Sequence, residues 1–172
     1  GIPDKQFFLQ SIDKLKKQPN PFFAYLISLS NHHPYKKVPE NYKNLFTDHI
    51  DPGSEIAGYL QLARYTDDAL DRFIERAKRE GFWDNSIFIL YGDHVPPFSE
   101  KAEQTFEALT GGSLKKFNQQ RTPLMILIPG KEGKIRKYKQ QYASVVGDQH
   151  DIFPTILHLL GIDTPFGLSG TH

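Results

Sequence analysis

Three apolar runs, each cut off by turn-forming residues, set the frame of this chain. Residues 22–30 (FFAYLISLS), 86–91 (SIFILY) and 121–128 (RTPLMILI) carry aromatic and branched side chains almost without a break. Runs of that kind bounded by Pro, Gly or Asn predict strands buried on both faces, the habit of parallel sheets. Between them the period becomes helical. Over residues 54–80, Ile56, Leu60, Ala63, Leu70, Phe73, Ile74 and Ala77 form one stripe. Ser54 stands as the cap, and Arg76, Lys78 and Arg79 complement the dipole before Gly81. Shorter helices are predicted over 11–18, capped by Ser11, and over 100–109, stopped by Gly111 and Gly112. Another is predicted over 151–160, opened by Asp151 with Pro154 in its first turn. Residues 142–146 read as a short strand, 131–139 as a basic exposed hairpin or loop, and 31–53 as a long surface loop. The alternation predicts an α/β fold, a doubly wound and mainly parallel sheet flanked by helices.

Composition narrows the partners more than the fold. The 172 residues suit one domain or a large piece of one. Lys+Arg of 21 against Asp+Glu of 20 leaves +1, which gives no sign of a nucleic-acid partner. A charged fraction of 24% is that of an ordinary globular domain. With no cysteine, disulfides and thiolate metal sites are excluded, and any metal must be held by oxygen and nitrogen. No apolar stretch is long enough to cross a bilayer, and no basic-then-apolar leader opens the chain, so targeting information is expected to lie elsewhere.

In parallel sheets, ligands gather beyond the carboxyl ends of the strands. Two strand tips carry polar clusters there: Ser30-Asn31-His32-His33 and Gly92-Asp93-His94. Asp93 offers a hard oxygen and His94 a borderline nitrogen, a pair suited to Mn²⁺ or Zn²⁺. Gly92 is expected to let the backbone turn sharply. Gly-Asp is also ordinary turn chemistry, in which case His94 is incidental. With both tips on one sheet edge, a cation on Asp93 and His94 beside His32 suits an anionic phosphoryl or sulfuryl substrate. Two ligands fall short of the roughly four or more that divalent sites use, so others are expected to join them. His33 and His49 read as loop residues, His158 as a helix-surface or packed residue and His172 as a chain end; His150 precedes a helix and has a smaller claim to face the site. Neither a Gly-x-Ser-x-Gly elbow, a Gly-rich phosphate loop nor a His-Glu-x-x-His motif is present, and no attacking nucleophile stands out.

The succession FFAYLISLSNHHPY, GYLQLARYTDDALDRFI, DNSIFILYGDH, RTPLMILIPG and DIFPTILHLLGI resembles the lipoteichoic acid synthase family. These are phosphoglycerol transferases of the sulfatase and alkaline-phosphatase-like superfamily, and the match runs in order through nearly the whole chain. The resemblance implies a single Mn²⁺, or another divalent cation, held by a Glu, a nucleophilic Thr and an Asp-His pair. Asp93 and His94 match that pair. His32 matches the histidine that contacts the phosphoglycerol head group. The family moves glycerol phosphate from phosphatidylglycerol to a lipoteichoic-acid-type polymer through a phosphothreonine, at the extracellular face of the bacterial membrane. Its Glu and Thr precede the region matched by Gly1. On this resemblance, residues 1–172 are the C-terminal portion of a sulfatase-like catalytic domain, tethered to the membrane by a missing N-terminal region and inactive alone. Two alternatives remain at this stage: a sulfatase or phosphodiesterase hydrolase of the same fold, and a non-catalytic binding module.

Overall fold

Helix α1 (Asp4–Leu15) starts well upstream of Ser11, the cap predicted for it. Extended Pro3 precedes its first turn, where Asp4 supplies the acid that the dipole favours. Ser11 lies inside the helix instead, its Oγ donating to the Phe7 carbonyl at 2.8 Å. The cause is the apolar stripe itself: Phe8 and Ile12 already stand one turn apart and are both buried.

The computed structural model describes residues 1–45, 50–113, 121–128 and 147–163. They fall in two compact units, Gly1–Ile135 and Arg136–His172. In the first, α2 (Glu55–Arg79) is the helix the pattern predicts, with the Ser54 side chain accepting from Ala57 N and Gly81 at φ 79° beyond its end. The core of this unit joins Phe8 and Ile12 of α1 to Ala69, Phe73 and Ala77 of α2, with Leu26 and Phe88 packed against it. Five apolar positions from two helical stripes thus make one seam.

The strand predictions need correction. Residues 22–30 are extended, yet no strand ladder includes them among the described residues. They are not buried on both faces either: Leu26 packs on the core, whereas Phe23, Tyr25, Ile27 and Leu29 are exposed. Strand β1 (Phe88–Tyr91) pairs with β2 (Leu124–Leu127), and the pairing is antiparallel, with Phe88 opposite Leu127 and Tyr91 opposite Leu124. Neither strand is buried on both faces: β1 is half-buried, and Leu124 and Met125 of β2 are exposed. An apolar run carries no information on strand direction, which is why the parallel expectation fails for this pair. Helix α3 (Glu100–Thr110) follows β1 and closes at Gly111 in the left-handed region, as its sequence predicts; its cap, Ser99, is not singled out there.

In the second unit a 3-10 turn over Gln149–Asp151 leads into α4 (Ile152–Leu159). Asp148 caps that turn and Asp151 reciprocates, so Asp151 serves the turn before the helix. Pro154 sits in the first turn of α4 and Gly161 at φ 67° beyond its end. The predicted strand at 142–146 and the basic stretch 131–139 lie outside the described residues. No helix of the described residues is long and apolar enough to cross a membrane.

Candidate functional site

The Gly92-Asp93-His94 tip is shaped by the β1–β2 pair. Gly92 N donates to the Pro123 carbonyl at 3.1 Å, extending the ladder by one bond. A Cβ on Gly92 would stand 2.9 Å from Thr122 Cβ. The glycine is therefore required by close approach of the neighbouring strand and not, as expected, by a sharp turn. Beyond it both side chains are exposed. His94 N donates to Asp93 Oδ1 at 3.0 Å, and His94 Nδ1 lies 2.8 Å from the Val95 carbonyl. A carbonyl only accepts, so Nδ1 carries the proton, and neutral His94 presents the lone pair of Nε2. That Nε2 stands 3.7 Å from Asp93 Oδ2. Two donors sharing one cation at about 2.1 Å each stand about 3–4 Å apart, so the spacing of this nitrogen–oxygen pair is compatible with a shared borderline divalent ion. Among the described residues no third carboxylate or imidazole completes a cluster with them, and His32 is not part of one.

Upstream of that tip, Tyr91 Oη donates to Tyr25 Oη at 3.0 Å. This hydrogen bond, helped by burial and by the charges of Tyr25 and Asp93, leaves the Tyr91 phenol pushed up to about 12. It stays protonated at any working pH and ties residues 22–30 to β1.

The His32 loop is fixed from beneath. Asp4, only 1% exposed, accepts from Leu29 N at 3.0 Å and Ser30 N at 3.1 Å through Oδ1, and from the Thr66 hydroxyl at 3.2 Å through Oδ2. Its own N–H donates to Ser30 Oγ at 3.0 Å. One carboxylate thus joins α1, α2 and the residues that lead into Asn31-His32. On the far side, Tyr35 N donates to the His32 carbonyl at 3.2 Å, and Tyr35 is buried with φ 56°. Gly58 of α2 meets that turn so closely that a Cβ would lie 2.4 Å from the Tyr35 carbonyl oxygen. His32 itself is exposed, its Nδ1 2.8 Å from the His33 carbonyl, so its Nε2 too is the outward nitrogen.

The remaining histidines divide as follows. His33 stacks edge-on against Tyr35 at 5.7 Å between ring centroids. His150 is exposed, with Nδ1 3.1 Å from Asp148 Oδ1. His158 is on the exposed side of α4. His49 and His172 lie outside the described residues. Sequence reasoning missed Asp4 and Gly58. A glycine inside a strong helical stripe was the available signal for Gly58; nothing in the spacing marks Asp4.

Residues 1–162 match the Sulfatase family. The chain belongs to that family. Lipoteichoic acid synthases are among the proteins it is similar to. It is 41% identical to the lipoteichoic acid synthase of Staphylococcus saprophyticus, over 95% of this chain and 24% of that protein. Lipoteichoic acid synthase 1 of Bacillus subtilis is 36% identical over 95% of this chain and 25% of its own length. The chain therefore spans about a quarter of these relatives. The crystal structure of the lipoteichoic acid synthase LtaP from Listeria monocytogenes superposes with a TM-score of 0.66 at 26% identity, covering 94% of this chain and 40% of that one. An alkaline phosphatase superfamily protein from Vibrio parahaemolyticus gives 0.63 at 26% identity, over 95% and 35%. The α/β, alkaline-phosphatase-like class read from the sequence holds, and the antiparallel β1–β2 pair is a local feature within it.

Proposed function

We propose that this chain is the C-terminal portion of a phosphoglycerol transferase that moves glycerol phosphate from phosphatidylglycerol to a lipoteichoic-acid-type polymer. Identity of 36% and 41% to lipoteichoic acid synthases over 95% of the chain carries the reading. The Asp93–His94 donor pair supports it from the side of chemistry. In this reading Asp93 Oδ2 and His94 Nε2 hold a divalent cation, Mn²⁺ by preference of the donor types. Bound there, the cation would supply Lewis-acid stabilisation of a phosphoryl oxygen. His32, with Nδ1 given to the His33 carbonyl, turns Nε2 outward, where it accepts a hydrogen bond from a glycerol hydroxyl when neutral and donates toward the phosphate as the imidazolium. Asp4, Gly58 and Tyr35 fix the turn that aims it. The nucleophile and the other cation ligands are assigned to the part of the enzyme that the chain, at a quarter of its relatives' length, does not span. Residues 1–172 alone are then inactive, and the reaction takes place at the outer face of the cell membrane.

The test is release of diacylglycerol from fluorescent phosphatidylglycerol by the full-length enzyme that contains this sequence. Asp93→Ala and His32→Ala are each expected to abolish release, and aryl sulfate hydrolysis is expected to stay at background. Full turnover by either variant, or by residues 1–172 on their own, would overturn the assignment; rapid aryl sulfate cleavage would replace it with a hydrolase.

A further inference from the structure

A second feature adjoins the His32 turn. The segment His33–Asn44 and the first turns of α2 enclose a cleft of about 650 Å³. That size is within the range of small-molecule sites. Three observations define what it would hold. Lys36 and Lys43 line it, and the partner of Lys43 is the exposed Glu40, a surface pair that costs little to exchange. Glu55 also lines it, but its carboxylate already accepts from the Ser99 hydroxyl at 2.6 Å and from Ser99 N. Gln61 closes the set. It lines the cleft while only 3% exposed, and its Nε2 donates to the Ala57 carbonyl at 3.0 Å. Its Oε1 has no hydrogen-bond partner among the described residues. A buried acceptor without a donor costs free energy that a ligand hydroxyl would return.

Two lysines, a buried acceptor without a donor and a helix N-terminus along one cleft ask for one ligand with both negative charge and hydroxyl donors. Tyr35 lines the cleft and Tyr59 packs edge-on against the Tyr35 ring at 5.4 Å, and burial pushes both phenols above their ordinary values. They add no negative charge. The strain of two non-glycine residues at positive φ, Tyr35 at 56° and Asn44 at 62°, is also placed in this cleft.

We propose that the cleft binds glycerol phosphate units of the acceptor polymer, the lysines taking the phosphate and Gln61 Oε1 the free hydroxyl. The inference rests on the transferase reading above and adds where the growing chain lies: beside His32, on the Lys36 and Lys43 side of its loop. Glycerol phosphate is also a lipid head group, and the experiment separates the two sources.

A synthetic glycerol phosphate trimer is titrated into the 172-residue chain by calorimetry. The double charge reversal Lys36→Glu with Lys43→Glu should weaken binding at least about tenfold, since each contact is charge-assisted. Gln61→Leu should weaken the trimer about fivefold and leave inorganic phosphate unchanged, because phosphate brings no polyol hydroxyl. Undiminished trimer affinity in the double variant overturns the proposal. So does inorganic phosphate binding as tightly as the trimer, or lysine-dependent binding seen only with phosphatidylglycerol vesicles, which would give the lysines to a lipid surface. Asp93→Ala is expected to leave trimer affinity intact while removing any Mn²⁺ response, so failure of the cleft and failure of the cation pair are read separately.

Discussion

The His32 turn and the Asp93–His94 tip present their functional groups in opposite ways. His32 stands on a turn secured by distant parts of the chain: Asp4 beneath it, Thr66 and Gly58 from α2, and buried Tyr35 behind. Asp93 and His94 stand exposed beyond the end of β1, and the hydrogen bonds of His94 run to its sequence neighbours, its N–H to Asp93 and its Nδ1 to Val95. The first is pre-organised in this chain. The second has its nitrogen and oxygen donors side by side but needs further ligands to become a site. A head-group contact gains from a rigid support, whereas a cation can itself organise exposed ligands when the rest of its shell arrives.

The largest test of that contrast is Asp4→Ala. It strands two backbone N–H groups and the Thr66 hydroxyl in a buried place, at a cost of about 4 kcal/mol by the usual penalties for unmet donors. Urea denaturation should show it, and hydrogen exchange at Ser30 and Asn31 should rise while β1 stays protected. Equal protection at residues 29–31 would mean the turn does not depend on α1. Gly58→Ala comes next. With Tyr35 O only 2.4 Å from the new Cβ, either α2 or the His32 turn must shift, for about 2–3 kcal/mol. A stability change below about 0.5 kcal/mol would show that the turn yields freely, and the contrast between the tips would then collapse.

Particular residues explain how much of this was legible in advance. The Gly92-Asp93-His94 tip drew notice because an apolar run ended on it, and the period of α2 announced its cap and its end. Of its predicted stripe Ile56, Phe73 and Ala77 are buried, whereas Leu60 and Ala63 are half-buried and Leu62, Tyr65 and Ala69 complete the buried face. His32 needed the family resemblance as well as the strand tip. What stayed hidden is non-local. That a carboxylate at position 4 reaches the N–H groups of residues 29 and 30 follows from packing of α1, which no spacing encodes. That β1 and β2 run antiparallel follows from chain routing, on which two apolar runs are silent. Gly92 was recognised but for the wrong reason. Its own sequence neighbours suggest a turn, and only the position of Thr122 reveals a close approach.

The cation tip should respond to metal where the anchored tip does not. With two ligands, binding is weak, but at ten times its dissociation constant Mn²⁺ would stabilise the chain by about 1.4 kcal/mol. A rise in Tm of that origin should vanish in Asp93→Ala and persist in His32→Ala. Persistence in Asp93→Ala would place the ion elsewhere.

The smallest effect concerns the outer end of the anchored loop, which is held by Asp68. Tyr42 donates to its Oδ2 at 2.6 Å, and Lys5 bonds to the same Tyr42 hydroxyl. The Tyr42 hydrogen bond, ahead of the charges of Arg64, Lys5 and Arg72, holds the Asp68 carboxyl below its ordinary value. The folded chain therefore binds the proton less readily than the unfolded chain, whose aspartate titrates near about 3.9. The contribution to stability is complete above that value and is lost as pH falls through the lower, folded one. Asp68 is partly exposed and solvent screens it, so the change is small. It should still show as faster exchange at Tyr42 and Lys43 below about pH 4 than at pH 6, after correction for intrinsic rates. Asp68→Asn should flatten that difference. If exchange at Ser30 accelerated over the same window to the same extent, the loop would be opening as one piece. The support under His32 would then owe as much to this surface cluster as to buried Asp4.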